Sequence, residues 1–179
     1  MKVKAIFFDR DGTLNLDENG YINDPKEMHL CQSVPEVLKY LKLLEYKIFI
    51  ISNQSGIGRG MIKPADYRRV TNKFLTLAGG YNTIEDIMYC LHTPDQDCKC
   101  RKPKTLLLDI VKENYDIDFR KSYFVGDKLS DMVCGTKAGL KTIMITGSDK
   151  SDELLFENKK VKPDIIIKSV ENLLNIISE

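Results

Sequence analysis

Two aspartates lie two residues apart directly after an apolar run near the start of the chain. Residues 6–13 read Ile-Phe-Phe-Asp-Arg-Asp-Gly-Thr, so Asp9 ends the run and Asp11 follows just before Gly12. Alternate side chains of a strand point to the same side, which lets both carboxylates face one site. Two anions this close repel each other, and a cation between them favours their ionised forms. Because Mg²⁺ prefers oxygen ligands, the pair predicts a divalent-metal site, although an acidic turn after a strand is a common alternative.

A second pair of aspartates lies four residues apart in the C-terminal half of the chain. Residues 123–131 read Tyr-Phe-Val-Gly-Asp-Lys-Leu-Ser-Asp, in which Gly126 ends another apolar run. If Asp127 lies at the tip of a strand and Asp131 in the first turn of the next helix, both carboxylates can address one cation. Asp131 also has an alternative role, because an acidic side chain in the first turn suits the helix dipole.

Donors suited to a phosphoryl group occur between the two acidic pairs. Residues 51–60 read Ile-Ser-Asn-Gln-Ser-Gly-Ile-Gly-Arg-Gly, in which Ser52 and Asn53 can donate hydrogen bonds and the glycines allow close approach. Arg59 adds a side chain that can grip an anion with two donors. Lys102, in Cys-Arg-Lys-Pro, could neutralise charge on a transferring phosphoryl group. The alternatives are a flexible polar turn and a solvated surface lysine, which is the usual fate of lysines.

Three of the five cysteines and one of the two histidines fall within residues 90–100. They form the pattern Cys-x-His-x5-Cys-x-Cys, which consists of Cys90, His92, Cys98 and Cys100. Three thiolates and one imidazole make a closed tetrahedral set for structural zinc, and the alternative is a chance grouping of thiols with a stray histidine. Because so short a loop cannot contain a core of its own, we expect zinc to hold its shape and to orient Arg101 and Lys102.

Apolar runs typical of strands alternate along the chain with segments of helical periodicity. The predicted strands cover residues 5–8, 47–51, 87–91, 122–125, 142–145 and 164–167. The predicted helices cover residues 34–44, 64–77, 104–114, 130–138 and 169–177. This alternation predicts an α/β fold with a parallel sheet covered by helices on both faces. Ligands of such sheets bind beyond the carboxyl ends of the strands, where we expect Asp9, Ser52 and Asp127 to share one edge.

Length and composition limit the class of protein. A chain of 179 residues fits one domain over residues 1–179, and 42% hydrophobic residues are ordinary for a soluble globular protein. The net charge of +1 argues against nucleic acid and membranes as partners, and so against a non-catalytic, zinc-stabilised binding module for nucleic acid. The apolar stretch at the N-terminus is too short for a signal peptide, and no segment has the length of a membrane span. We therefore expect a cytoplasmic protein whose cysteines are thiols or metal ligands.

The motif order Asp-x-Asp-Gly-Thr, Ser-Asn, Lys, Gly-Asp-x-x-x-Asp resembles that of the haloacid dehalogenase superfamily of phosphotransferases, over nearly the whole chain. The resemblance implies a Rossmann-like sheet and a role for each motif residue. Asp9 would be the nucleophile that forms an aspartyl-phosphate, and Asp11 would protonate the leaving oxygen and then activate water. Ser52 and Lys102 would hold the phosphoryl group.

The same resemblance implies a Mg²⁺ site between the first and last motifs. Asp127 would bind the ion together with the Asp9 carboxylate and the Asp11 backbone carbonyl, and Asp131 would support these ligands from behind. Acidic side chains alone would repel a phosphate dianion, so Mg²⁺ and Lys102 must offset their charge. We therefore expect no activity without a divalent metal.

Within the superfamily, a zinc loop followed by Cys-Arg-Lys-Pro resembles the subgroup of heptose bisphosphate and histidinol-phosphate phosphatases, which have no large cap domain. Three features favour the heptose branch, namely the stretch 52–60, the pair Gly20 and Tyr21, and Gly-Asp-Lys at 126–128. The five residues between the zinc-loop histidine and the next cysteine are closer to the histidinol-phosphatase pattern, which stays an alternative. The resemblance implies an enzyme of heptose biosynthesis that acts on a small sugar phosphate, and we expect a monomer. The expected substrate contacts are Thr13, Tyr21, Asn53, Gln54, Ser55, Arg59, Arg101, Lys102 and Lys128.

Overall fold

The computed structural model describes residues 2–17, 20–146 and 162–177, which contain one six-stranded parallel sheet. The strands are β1 (Ala5–Phe8), β2 (Lys47–Asn53), β3 (Asp86–Cys90), β4 (Tyr123–Gly126), β5 (Lys141–Ile145) and β6 (Ile165–Ile167). The helices are α1 (Val34–Leu43), α2 (Ser55–Gly58), α3 (Pro64–Leu77), α4 (Leu106–Asn114), α5 (Leu129–Ala138) and α6 (Leu173–Ile176). The predicted α/β fold with a parallel sheet is confirmed, and the assignment of residues 1–179 to a single domain stays a prediction.

The last predicted helix, over residues 169–177, differs most from the structure. A 3-10 turn, Val170–Asn172, comes first, and the α-helix begins only at Leu173. The Asn172 side chain accepts hydrogen bonds from the backbone N–H groups of Lys168 and Ser169, at 3.2 and 3.1 Å. This side-chain cap satisfies backbone donors that precede the helix and keeps the first turn tight.

Strand β1 is buried on both of its faces. Ile6 and Phe8 pack into the part of the core that contains α1 and α3, whereas Ala5 and Phe7 pack into the part that contains α4. All four side chains are fully buried. A strand with two covered faces therefore shows a continuous apolar run instead of an alternating one, and it ends where the first aspartate begins.

The strand order β3-β2-β1-β4-β5-β6 fixes where a ligand can bind. The chain adds β2 and β3 on one side of β1 and then returns to add β4, β5 and β6 on the other side. The direction of winding thus reverses between β1 and β4, and a crevice opens at the carboxyl ends of strands at such a point. The Asp9 N–H extends the ladder at this point, because it donates to the Val125 carbonyl over 2.9 Å.

The connections add little to this layered core. Between β1 and α1 the described residues contribute only a short 3-10 turn, Pro25–Glu27, and the part of the chain that the structure describes contains no large cap domain. Within the same residues, no helix has the length and apolar character that crossing a membrane requires.

Candidate active site

A buried ammonium, that of Lys102, lies at the crevice, and its residue is only 3% exposed. Its Nζ lies 2.9 Å from Asp9 Oδ1 and 2.8 Å from Asp131 Oδ1, and it donates to the Ile51 carbonyl over 2.7 Å. Burial alone would lower the pKa of Lys102, but the two carboxylates raise it above its usual value. The lysine therefore stays charged beside Asp9.

Asp131 lies in the first turn of α5 and is completely buried. Its Oδ2 accepts the backbone N–H of Lys128 over 3.0 Å. Burial raises the pKa of Asp131, and the adjacent Lys102 only partly opposes this effect. A Cβ atom at Gly126 would overlap the Asp131 carboxylate, so only glycine fits at the end of β4.

Asp127 follows β4 directly and faces the first motif. Its Oδ1 accepts the Thr13 hydroxyl over 3.0 Å. Gly12 has a φ of +88°, and a Cβ there would overlap the Asp127 carboxylate, so the turn after β1 needs glycine for two reasons. Burial also raises the pKa of Asp127 above the usual range.

These carboxylates form a group suited to a hard divalent cation. One oxygen each from Asp9, Asp127 and Asp131 lie within 4.8 Å of one another. The Asp11 carbonyl belongs to the same edge, because the Lys128 ammonium is 3.2 Å from that oxygen and 3.5 Å from Asp127 Oδ2. One positive charge can thus contact both oxygens at once. The donors are all oxygens with an excess of negative charge, as Mg²⁺ requires.

The Asp11 side chain is not a member of this group and is held by two other side chains. Arg10 donates to both of its oxygens, from Nε and from one terminal nitrogen, and Gln54 Nε2 donates to its Oδ2. Burial would raise the pKa of the Asp11 carboxyl, but the Arg10 charge and these hydrogen bonds hold it below its usual value. Gln54 Nε2 also donates to Ser52 Oγ over 2.8 Å, so the Ser52 hydroxyl keeps its own hydrogen for another acceptor.

A cleft of about 390 Å³ opens over these groups. It is lined by Asp9, Asp11, Asp17, Gly20, Tyr21, Ser52, Asn53, Gln54, Ser55, Arg101, Lys102, Lys128 and Ser130. The structure therefore brings Asp9, Asp11, Ser52 and Lys102 together, as the motifs predict. It also places most of the predicted substrate contacts in the same wall.

Two residues predicted to bind substrate lie elsewhere. Thr13 is 1% exposed and does not line the cleft, because its hydroxyl is taken by the Asp127 carboxylate. Arg59 follows the four-residue helix α2, whose turn buries Ser55 and Gly56 and leaves Arg59 exposed outside the cleft. Their contact with substrate therefore stays a prediction that the geometry of the cleft does not support directly.

Two residues at or next to the cleft make contacts that the motifs do not reveal. Arg10 does not line the cleft but contacts the Asp11 carboxylate, and in the sequence it appears only as a cation between the two aspartates of the first motif. Asp17 lines the cleft and lies 3.9 Å from the Lys128 ammonium. Asn53 lines the cleft as predicted, but its side-chain amide forms hydrogen bonds with both the backbone N–H and the backbone carbonyl of Lys102.

The four predicted zinc ligands converge on one point. Their ligand atoms lie within 4.8 Å of one another, with sulfur-to-sulfur distances of 3.2, 3.5 and 3.5 Å and sulfur-to-Nδ1 distances of 3.3 and 3.6 Å. A tetrahedral zinc with ordinary bond lengths requires sulfurs about 3.8 Å apart and a nitrogen at about 3.6 Å from them. The thiols are not joined by disulfides. The residues therefore fit a structural zinc ion, and they are Cys90, His92, Cys98 and Cys100.

The cysteine cluster connects directly to the wall of the cleft. Arg101 follows the last cysteine, and its guanidinium donates to the His92 carbonyl over 3.2 Å. Lys104 binds Asp97 in the same loop through both the carbonyl and the carboxylate of that residue. The conformation of the loop consequently sets the direction of Arg101 at the cleft.

The direction of winding of the parallel sheet reverses between β1 and β4, and an aspartate pair, a buried lysine and a group of carboxylates lie at this point. These features define a haloacid dehalogenase-like hydrolase. The HAD-hydrolase-like family model matches residues 99–173. The chain is 33% identical to D-glycero-alpha-D-manno-heptose-1,7-bisphosphate 7-phosphatase of Campylobacter jejuni, over 100% of this chain and 98% of that protein. It is 34% identical to D-glycero-beta-D-manno-heptose-1,7-bisphosphate 7-phosphatase of Haemophilus ducreyi, over 99% of this chain and 100% of that protein.

A solved structure agrees with these relatives. The D,D-heptose 1,7-bisphosphate phosphatase from B. bronchiseptica, complexed with magnesium and phosphate, matches with a TM-score of 0.82 and 25% identity, over 97% of this chain and 99% of that chain. The chain belongs to the D-glycero-D-manno-heptose-1,7-bisphosphate 7-phosphatase family of the haloacid dehalogenase superfamily. The predicted resemblance is therefore confirmed.

Proposed function

We propose that this protein is a Mg²⁺-dependent phosphatase that removes the 7-phosphate of D-glycero-D-manno-heptose 1,7-bisphosphate. The observation that carries the proposal is the convergence of Asp9, Asp11 and Lys102 on one cleft in a chain whose full-length relatives bear this activity in their names. We keep the cytoplasmic location and the monomeric state as predictions of the sequence.

Catalysis begins with attack by an oxygen of Asp9 on the phosphorus atom of the 7-phosphate. A bond forms between Asp9 and phosphorus, the bond from phosphorus to the sugar oxygen breaks, and the protonated form of Asp11 gives that oxygen its proton. Arg10 and Gln54 favour the ionised form of Asp11, which is the form that the second step needs. In the second step, Asp11 removes a proton from water as the water oxygen attacks phosphorus. The bond to Asp9 then breaks, and inorganic phosphate leaves with both aspartates restored.

The remaining polar groups hold the phosphoryl group in place for both steps. Lys102 stays charged between two carboxylates, so it can balance negative charge on the transferring group. The Ser52 hydroxyl has its oxygen bound by Gln54 and its hydrogen available for a phosphoryl oxygen. Phosphoryl transfer needs mainly this kind of positioning and charge balance.

Mg²⁺ fits the carboxylate group between the first and last motifs. The carboxylates of Asp9 and Asp127 and the carbonyl of Asp11 would hold it, with Asp131 behind them. When bound, the ion supplies the positive charge that offsets repulsion between the acidic wall and a phosphate dianion. Zinc would be held by the cysteine cluster, in a structural role that keeps Arg101 directed at the cleft.

The second phosphate of the substrate needs a cationic site away from Asp9. Arg101 and Lys128 both line the cleft and are less buried than Lys102. Arginine is suited to bidentate contact with phosphate, and lysine acts as a point charge. We assign the 1-phosphate to these two side chains.

One comparison tests the substrate. On a single purified, Mg²⁺-loaded sample, kcat/KM is measured for both anomers of heptose 1,7-bisphosphate and for histidinol phosphate. Both anomers are needed because the relatives named above divide between the alpha and beta forms. A higher kcat/KM for either bisphosphate anomer supports the proposal. A higher value for histidinol phosphate would favour the alternative that the short spacing of the cysteine loop suggests.

A further inference from the structure

We propose that Arg10, which lies between the two aspartates of the first motif, positions the Asp11 carboxylate for proton transfer. The inference rests on the proposed function, because it concerns the group that protonates the leaving oxygen. Arg10 itself does not line the cleft. It would therefore act on the reaction only through Asp11.

The contact between the two residues is bidentate, and the Arg10 side of it is buried. Arg10 Nε donates to Asp11 Oδ1 over 2.8 Å, and a terminal nitrogen donates to Asp11 Oδ2 over 3.0 Å. Arg10 is 2% exposed. A forked guanidinium fixes both the direction and the plane of a carboxylate, which a single donor cannot do. The Asp11 side chain therefore has one orientation with respect to the cleft.

Arg10 is also held by groups other than Asp11. Its guanidinium carbon lies 5.3 Å from the centre of the Tyr67 ring, and that ring is 4.8 Å from the ring of Tyr89 in an edge-on arrangement. The backbone N–H of Arg10 donates to Asp9 Oδ1 over 2.8 Å. One residue thus contacts the nucleophile through its backbone and the proton carrier through its side chain. This arrangement fixes the two aspartates relative to each other.

The hydrogen bonds also distinguish the two oxygens of Asp11. Oδ2 accepts from both Arg10 and Gln54, whereas Oδ1 accepts from Arg10. A carboxylate oxygen has two acceptor positions, so Oδ1 retains the more open one. Oδ1 is consequently better placed than Oδ2 to exchange a proton with the leaving oxygen and with water.

The test separates proton transfer from the rest of catalysis by changing the leaving group. The value of kcat/KM reports the steps up to and including formation of the aspartyl-phosphate, and so excludes its later hydrolysis. It is measured for heptose 1,7-bisphosphate, whose sugar oxygen must be protonated, and for 2,4-dinitrophenyl phosphate, whose leaving group is stable as an anion. The variants are Arg10→Met, Arg10→Lys, Asp11→Asn as the reference for lost acid catalysis, and Tyr67→Phe as a control that keeps the ring.

We expect Arg10→Met to lower kcat/KM for the sugar phosphate by at least about 10-fold and for the aryl phosphate by less than about 3-fold. Asp11→Asn should lower kcat/KM for the sugar phosphate by about 10²-fold to 10⁴-fold, so the loss in Arg10→Met is a smaller one of the same kind. Arg10→Lys should show the same selectivity with a smaller loss, and it provides the test if Arg10→Met does not fold. Tyr67→Phe should change neither value.

Equal losses on both substrates in the Arg10 variants would overturn the positioning role, because a general structural defect does not depend on the leaving group. Unchanged values on both substrates would overturn it as well. A wild-type enzyme that hydrolyses the aryl phosphate but not heptose bisphosphate would instead contradict the proposed function. The two failures are thereby distinguishable.

Discussion

The side-chain amide of Asn53 binds both backbone groups of Lys102. The Lys102 N–H donates to Asn53 Oδ1 over 3.0 Å, and Asn53 Nδ2 donates to the Lys102 carbonyl over 3.2 Å. Asn53 ends β2, whereas Lys102 follows the cysteine cluster, so the contact joins two segments that are 49 residues apart. The position of the buried ammonium beside Asp9 is therefore set from the central sheet.

Asn53→Ala removes both of these hydrogen bonds and should displace Lys102. We expect kcat to fall by about 100-fold, because small displacements of a charge-balancing group are costly in catalysis. The free energy of unfolding should fall by about 1–3 kcal/mol, because two backbone groups lose their partners. Steady-state kinetics and urea unfolding measure the two effects. Asn72→Ala, on an exposed position of α3, is the control. A kcat within about twofold of wild type would show that Lys102 does not depend on this contact.

Mg²⁺ should bind more tightly as the pH rises toward neutrality. Burial raises the pKa of Asp127, and it raises that of Asp131 from 3.8 to about 7, so in the metal-free protein protons compete with the cation at lower pH. Binding therefore tightens with rising pH, because metal binding releases protons and their release becomes more favourable as the pH increases. Isothermal titration calorimetry should give a Kd that decreases up to about pH 7 and levels off above it. A Kd independent of pH over this range would contradict the assigned ligands.

Chelation of zinc should expose three thiols to alkylation and leave a fourth unreactive. Cys90, Cys98 and Cys100 form the cluster, whereas Cys134 is 1% exposed on α5, and burial raises its pKa to about 12. Thiolates are the reactive species, so Cys134 should resist iodoacetamide at mildly alkaline pH. Mass spectrometry of tryptic peptides, with and without a chelator, counts the modified residues. Alkylation of all three cluster cysteines before chelation, or protection that persists after it, would argue against zinc there.

Removal of the Lys128 charge should weaken the binding of a bisphosphate substrate more than the binding of a monophosphate. Lys128→Ala is expected to raise KM for heptose 1,7-bisphosphate by about 10-fold, the size expected for a lost hydrogen bond to a charged group, and to change KM for heptose 7-phosphate far less. Lys39→Ala is the matched control, because Lys39 is an exposed lysine on α1 outside the cleft. Equal effects of Lys128→Ala on the two substrates would remove Lys128 from the 1-phosphate site.

The sequence predicts side chains that act at strand ends because the strands themselves are recognisable. β1 is apolar at every position since both of its faces are covered, and Asp9 marks its end without ambiguity. The predicted zinc ligands are equally visible in the sequence, because soft ligands at short spacing are rare by chance. The structure places Thr13 and Arg59 outside the lining of the cleft, and their contact with substrate stays a prediction. A hydroxyl such as that of Thr13 suits a carboxylate as well as a phosphate, and only the three-dimensional structure shows that Asp127 is near it.

The contact of Arg10 with Asp11 could not be predicted from the alternation of side chains along a strand, which locates the two aspartates. Adjacent side chains of a strand point to opposite sides, so this alternation would separate Arg10 from Asp11. The strand ends at Phe8, however, and the turn that follows brings the two neighbours into a bidentate contact. The same limit applies to Asn53, whose pairing with a distant backbone depends on a loop conformation that no periodicity describes.

The central claim is that Asp9 carries the phosphoryl group during turnover. Rapid acid quench of the Mg²⁺-loaded enzyme with heptose 1,7-bisphosphate, followed by peptide mass spectrometry, measures this directly. We predict one phosphoryl group on the peptide that contains Asp9, and neither phosphoenzyme nor phosphate release in Asp9→Asn. Phosphate release at the wild-type rate by Asp9→Asn, or a phosphoryl group on another residue, would contradict the account.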